Sequence, residues 1–212
     1  MYPALAVLQA LQSRIDSAGD KQALETLWIG SVDGMEADLV KRAGVPFRAI
    51  PAAGVHGVGL SALPGNLLRL GRGYFAARRI LREFCPHVVF FTGGYVAVPV
   101  AVAARLSSRA RRPRSLVYVP DIEPGLALKT LIRFSDKVAV TTENSRPFLP
   151  ARTDLTVSGY PVRPDLKNMS KEQGRLSFGL QPDLPTLLVL GGSKGARSIN
   201  RALKSLLPQL LA

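Results

Sequence analysis

Residues 87–108 read HVVFFTGGYVAVPVAVAARLSS, and how they are parsed decides the fold. The apolar tract 88–104 is the chain's best candidate for a membrane span. It falls short of the roughly 20 apolar residues that cross a bilayer, and Gly93, Gly94 and Pro99 interrupt it. A strand (VVFF), a glycine loop and a buried helix of small apolar residues explain it better. Two glycines closing a strand let a ligand or a neighbouring loop come close to the backbone. Tight packing of the next helix explains them at least as well.

The same alternation extends outward in both directions. Short apolar runs recur at ETLWI (25–29), PFRAIPA (46–52), RSLVYV (114–119), KVAVTT (137–142) and, weakly, LTV (155–157). Helical patterns separate them at about 2–17, in DGMEADLVKRAG closed by Gly44, at about 67–83, and in LALKTLIRFS (126–135). Strands alternating with helices predict an α/β fold, with a parallel sheet carrying helices on both faces. Strands buried on both faces account for continuous runs such as VVFF. Ligands then bind beyond the carboxyl ends of the strands, where the glycine loops lie. Two prolines in YPVRPDL and the polar KNMSKEQGR break the pattern, and TLLVLGGSKGARSIN (186–200) restarts it. The expected organisation is a domain over 1–160, a linker over 161–185, and the first strand, loop and helix of a second Rossmann-like domain over 186–212.

Composition narrows the chemistry. The chain has 28 Lys and Arg against 15 Asp and Glu, a net charge of +13 that favours anionic partners: phosphorylated substrates, an anionic membrane surface or nucleic acid. No aromatic platform or recognition motif supports nucleic acid. With Cys85 alone and two histidines, His56 and His87, neither a disulfide framework nor a zinc-ligand cluster can be assembled. The N-terminal MYPALAVLQALQSRID lacks the basic region of a signal peptide and reads as a helix.

Three segments could carry function. In GGSKGARSIN, strand, glycines and a helix opening near Ser193 would gather free N–H groups into a phosphate cradle. An ordinary strand-to-helix turn fits equally well. TGGYVAVP repeats the arrangement. LPGNLLRLGRGYFAARRILR (63–82) sets an apolar face with Leu67, Leu70, Tyr74 or Phe75, and Ile80 or Leu81 beside Arg69, Arg72, Arg78, Arg79 and Arg82. Such a helix can lie on anionic lipid or face the core with a solvated basic edge. Possible acids and bases are Asp121, Glu123, Glu143 and His56; helix capping and ordinary loop roles explain them more economically.

Taken in order, YPALAVLQAL, TGGYVAVP, GYPVRPDL and VLGGSKGARSIN resemble the MurG branch of the family 28 lipid-directed glycosyltransferases, over nearly the whole chain. The resemblance implies a GT-B fold. It implies transfer of N-acetylglucosamine from UDP-GlcNAc to lipid I, giving lipid II for peptidoglycan, with inversion and without a metal or other cofactor. It implies a UDP-sugar donor, an undecaprenyl-diphosphate-linked acceptor and an anionic membrane as partners, with peripheral docking on the cytoplasmic membrane face. The 63–82 helix falls where that family docks, which favours its membrane reading. By the same carry-over, Asp121, Arg163, Gly191, Gly192, Ser193 and Gly195 are expected at the donor, and Gly93, Gly94 and Tyr95 at the acceptor-side loop.

Three departures qualify this. The family's first strand and the GGTGGH loop after it, whose histidine is its favoured activator of the acceptor hydroxyl, have no counterpart, so the catalytic residue is unknown. YVPD (118–121) stands where the family has H-E-Q-N, which puts a carboxylate in place of an Asn. The chain reads as a fragment cut at both ends and is expected to turn over poorly by itself. The alternatives are a related GT-B enzyme with another lipid acceptor or sugar donor, and a non-catalytic basic membrane-binding module.

Overall fold

The structure is a computed structural model that describes residues 1–19, 24–32, 34, 36–53, 63–163, 170–191 and 196–210. It divides into two units, Met1–Lys167 and Asn168–Ala212. The first unit carries α1 (Tyr2–Ala18), β1 (Trp28–Ser31), α2 (Glu36–Arg42), β2 (Phe47–Ile50), α3 (Leu63–Phe84), β3 (Val88–Phe91), α4 (Ala97–Arg105), β4 (Arg114–Val119), α5 (Leu126–Phe134), β5 (Lys137–Val140) and β6 (Leu155–Val157). The second carries α6 (Lys171–Ser177) and α7 (Arg197–Leu210).

All strand pairing is parallel, but in two sheets: β1 with β2, and β3, β4, β5 and β6 in that order. The continuous sheet expected from the alternation is therefore split between β1 and β3 among the described residues. The first strand also starts later than the run ETLWI suggests. Its ladder opens where Trp28 N–H donates to the Pro46 carbonyl (2.8 Å), and Pro46 has no N–H with which to extend the pairing. Gly44 closes α2 as expected, in a left-handed conformation, with Val45 N–H bonding back to the Val40 carbonyl.

The core lies in the four-stranded sheet. In β4, Val117, Tyr118 and Val119 are essentially without solvent contact, as strands covered on both faces must be. The tract 88–104 does resolve into strand, glycine loop and helix, and no described helix is long and apolar enough to cross a membrane. Its small residues let α4 pack against both α3 and α5. At the amino end of the sheet, Asp136 accepts from Ser115 N–H and Oγ (2.8 and 2.9 Å) and from Arg112 (2.8 Å). Burial works to raise its pKa, but the Ser115 bonds and the Arg112 and Arg114 charges outweigh it and hold the carboxyl below its usual value.

In the second unit, Ser170 and Gln173 form a reciprocal cap on α6. Arg175 donates to the carbonyls of Gln181 and Leu184. The stretch expected to be a plain linker thus holds a helix and an Arg-tied turn. The strand expected at 186–190 forms no ladder: its residues have no secondary structure, with Leu188 77% exposed. A strand is stable only beside a partner, and the described part of this unit provides none.

Gly73, buried on α3, gives a test of packing against propensity. A Cβ there would stand 2.2 Å from the Pro51 carbonyl oxygen, whereas one at Gly71 would meet nothing. Gly71→Ala should stabilise the protein by about 0.5–1 kcal/mol through helix propensity. Gly73→Ala should destabilise it despite the same propensity gain. Denaturant melts of the two variants check the opposite signs.

Candidate functional site at the carboxyl ends of the strands

Parallel pairing places the carboxyl ends of β3, β4, β5 and β6 on one side of the sheet. Beyond β3, the backbone turns sharply at Gly93 (φ 103°) and Gly94 (φ 89°), conformations that side-chain-bearing residues rarely adopt. Leu128 of α5 packs against Gly93, where an added Cβ would find it at 3.5 Å. The turn leads into α4 without a side-chain cap; the Ala97 and Val98 amides donate instead to the Gly94 and Tyr95 carbonyls (3.2 and 3.3 Å). Tyr95 is partly exposed beside it.

A clasp joins the next three strand ends. The Tyr118 hydroxyl hydrogen-bonds Thr141 Oγ1 (2.8 Å) and lies 3.4 Å from the Gly159 carbonyl. Thr141 in turn donates to the Pro120 carbonyl (2.9 Å). Tyr160 meets the Tyr118 ring edge to face, with centroids 6.3 Å apart. Burial raises the Tyr118 pKa, with the charges of Tyr160 and Asp121 adding to it against the Thr141 bond, so the phenol stays protonated at neutral pH. Asp121 itself is exposed at the end of β4, and its carbonyl accepts from Ser145. Arg163 lies over the Tyr2 ring, 5.7 Å from its centroid.

Residues 1–140 match the glycosyltransferase family 28 N-terminal domain. The chain belongs to glycosyltransferase family 28. Among its relatives is a UDP-N-acetylglucosamine--N-acetylmuramyl-(pentapeptide) pyrophosphoryl-undecaprenol N-acetylglucosamine transferase of Roseiflexus sp. (strain RS-1), 41% identical, which covers all of this chain and 54% of that protein. A protein of the same description from Desulforudis audaxviator is 40% identical over 96% of this chain and 52% of its own length. The chain thus spans about half the length of the curated relatives it matches. The crystal structure of Acinetobacter baumannii MurG aligns with a TM-score of 0.57 at 23% identity, covering 79% of this chain and 43% of that one. The fold is α/β with parallel sheets, of the GT-B type.

Within this family fold, the residues expected at the site fall into distinct places. Gly93, Gly94, Tyr95, Asp121 and Arg163 all belong to the first unit, the first four just past strand ends. Gly191 belongs to the second unit, where its missing Cβ makes room for Ala196, which would otherwise stand 2.8 Å away. Gly192, Ser193 and Gly195 lie outside the described residues, as does His56. Two acid candidates are engaged elsewhere: Glu123 pairs with Lys129 (3.0 Å) and Glu143 with Arg146. No three His, Cys, Asp or Glu side chains among the described residues group as a metal site.

On α3, Leu67 and Phe75 are each 67% exposed, and Arg69, Arg72, Arg78 and Arg82 are exposed as well. Leu70 is half-buried. Arg79 is tied to Glu83, which also binds Arg48. The cationic edge therefore rests on four arginines more than on the five counted in the sequence. Sequence reasoning also missed the Tyr118–Thr141 clasp, since a tyrosine in an apolar strand gives no sign of where its hydroxyl goes.

Tyr118→Phe removes the hydroxyl from both of its partners and should cost about 1 kcal/mol. Thr141→Val should cost a similar amount, and the double variant less than the sum, because one shared bond is lost once. A double-mutant cycle from denaturant melts measures that coupling.

Proposed function

We propose that this chain is the acceptor-side part of a glycosyltransferase that moves N-acetylglucosamine from UDP-GlcNAc to the C4 hydroxyl of an undecaprenyl-diphosphate-linked muramyl acceptor on the cytoplasmic membrane face. The observation that carries the reading is the paired left-handed turn at Gly93 and Gly94, opening α4 without a side-chain cap at the carboxyl edge of a parallel sheet. The Roseiflexus and Desulforudis relatives are N-acetylglucosamine transferases named for such an acceptor. The proposed step forms a bond from the acceptor oxygen to C1 of the sugar and breaks the bond from C1 to the diphosphate. The bonding pair leaves with UDP, and the acceptor proton passes to solvent as the new bond forms.

In this reading, residues 1–160 bind the acceptor and the membrane, 161–185 link the domains, and 186–212 open the nucleotide-sugar domain. Gly93, Gly94 and Tyr95 border the acceptor's diphosphate-sugar head. Asp121 and Arg163, with Gly191, Gly192, Ser193 and Gly195, serve the donor, the guanidinium offsetting diphosphate charge that the Asp121 carboxylate opposes. That carboxylate favours a second reading, a related enzyme whose donor or acceptor offers a hydroxyl for Asp121 to bind. A donor screen on the protein that carries this chain separates the two: transfer from UDP-GlcNAc supports the first, and transfer from another UDP-sugar supports the second.

The turn itself is testable in that protein. Gly94→Val forces a β-branched residue to φ 89° and should lower kcat/KM for the lipid acceptor at least about tenfold while sparing UDP-GlcNAc binding. Wild-type turnover in this variant would remove the turn from the site.

Membrane docking through α3 predicts cosedimentation of the chain with vesicles rich in anionic lipid. Each basic residue near such a surface contributes about 1 kcal/mol, so neutralising Arg69, Arg72, Arg78 and Arg82 together should abolish binding at moderate salt. Phe75→Ser should weaken it on neutral and anionic vesicles alike. Binding that survives the fourfold change would rule this face out as the docking surface.

A further inference from the structure

Beyond β6 the chain passes over a joint. Ser158 N–H donates to the Val140 carbonyl (2.9 Å) and so extends the pairing with β5. Gly159 follows at φ 73°, and a Cβ built there would meet nothing within 4 Å. Packing does not hold its backbone, and glycine has the widest choice of angles. The chain after it is stiff, because Pro161 holds its own φ and restricts Tyr160 before it. A small rotation at Gly159 would therefore swing Arg163 like the far end of a short rod.

Tyr118 sets that joint. Its side chain is essentially without solvent contact, and its hydroxyl emerges at the carboxyl edge 3.4 Å from the Gly159 carbonyl. The Tyr160 ring meets it edge to face. In the other direction the hydroxyl reaches Thr141 Oγ1 (2.8 Å), whose bond to the Pro120 carbonyl (2.9 Å) fixes the residue before Asp121. Burial raises the Tyr118 pKa and the Thr141 bond works against it; the Asp121 charge adds to the rise, which brings that carboxylate near the phenol. Phenylalanine would fill the buried part of this position equally well. What the hydroxyl adds is confined to the two segments it reaches, one ending in Asp121 and the other leading to Arg163.

We infer that Tyr118 is a positioning residue for the donor, setting the distance and direction between the Arg163 guanidinium and the Asp121 carboxylate and so the place a nucleotide's diphosphate takes. The inference rests on the donor role proposed above for Arg163 and Asp121. A diphosphate is drawn to one group and repelled by the other, so its binding depends steeply on where the two stand at close range. Tyr118 itself touches no substrate and acts through the segments it holds.

The test is calorimetric titration of UDP into the protein that carries this chain, since affinity is read from folded molecules and unfolded ones lower only the stoichiometry. Arg163→Ala should weaken UDP binding about tenfold. Tyr118→Phe keeps the ring, loses the hydroxyl, and should weaken it at least about threefold. In the Tyr118→Phe background, Arg163→Ala should cost at least about threefold less than it does alone, because a misplaced guanidinium has less to lose. Ser115→Ala is the control for stability: it removes a donor from Asp136 at the amino edge of the same two strands and should leave UDP affinity unchanged. Strict additivity, or wild-type affinity in Tyr118→Phe, overturns the positioning role while an impaired Arg163→Ala keeps the donor reading standing. Equal weakening by Ser115→Ala overturns it too, as a general loss of stability. Wild-type affinity in Arg163→Ala brings down the donor reading and the inference with it. Should Tyr118→Phe fail to fold, Thr141→Val removes the partner of the same hydroxyl and enters the same cycle with the same outcomes.

Discussion

Parallel pairing in the β3–β6 sheet is the constraint on which the rest depends. Parallel strands cannot be joined by tight hairpins; each connection must return the chain to its starting end, and a helix does this while covering a sheet face. Every strand therefore finishes at the same edge. At the amino edge, Asp136 gathers Ser115 and Arg112 across β4 and β5. At the carboxyl edge, Tyr118 and Thr141 tie the same two strands. The two networks differ in kind. The first is a charge satisfied by three donors and serves stability. The second is neutral and leaves Asp121 exposed at its margin.

Glycine serves two separate physical ends in this molecule. Gly73 sits in ordinary helical backbone and is glycine because the chain after β2 passes too close for any side chain. Gly93 and Gly94 have room for a Cβ but adopt backbone conformations that exclude one. The sequence reading left two explanations of TGGYVAVP open, close approach and tight packing. Leu128 does pack on Gly93, but at a distance ordinary for van der Waals contact, so packing alone does not demand glycine there. The conformational requirement does, and it bends the backbone between β3 and α4.

Much of the fold was legible because burial on two faces writes itself as runs such as SLVYV, and because helices between them keep their 3.6-residue period; VVFF, read the same way, forms an edge strand among the described residues, with Val88 exposed. What escaped were features set by partners distant in the chain. The start of β1 depends on Pro46, the ladder of 186–190 on a neighbour strand, and the break between β1 and β3 on what stands beside each edge. The cap on α6 was in principle readable, since Ser170 followed by Gln173 is a capping-box pattern, but the polar run around it reads as linker. At the candidate site, the glycine turn and Asp121 could be placed from their position after strand runs. The Tyr118 clasp could not, because strand register across 23 residues decides whether Thr141 meets the hydroxyl.

The α3 helix shows why the charge excess cannot be read as a uniform property. Gly73, Ala77, Ile80 and Leu81 bury one face at helical spacing, and these suffice to seat the helix on the sheet. Leu67 and Phe75 fall outside that face, where apolar exposure brings the fold no stability. Elsewhere, Arg112 and Arg175 are committed to internal carboxylate or carbonyl partners, so they add to net charge without presenting it. A helix with a complete buried face and a second apolar stripe edged by arginines carries more hydrophobic surface than folding requires. The surplus stands next to the cations, and that pairing of insertion and attraction is what binding at an anionic interface demands.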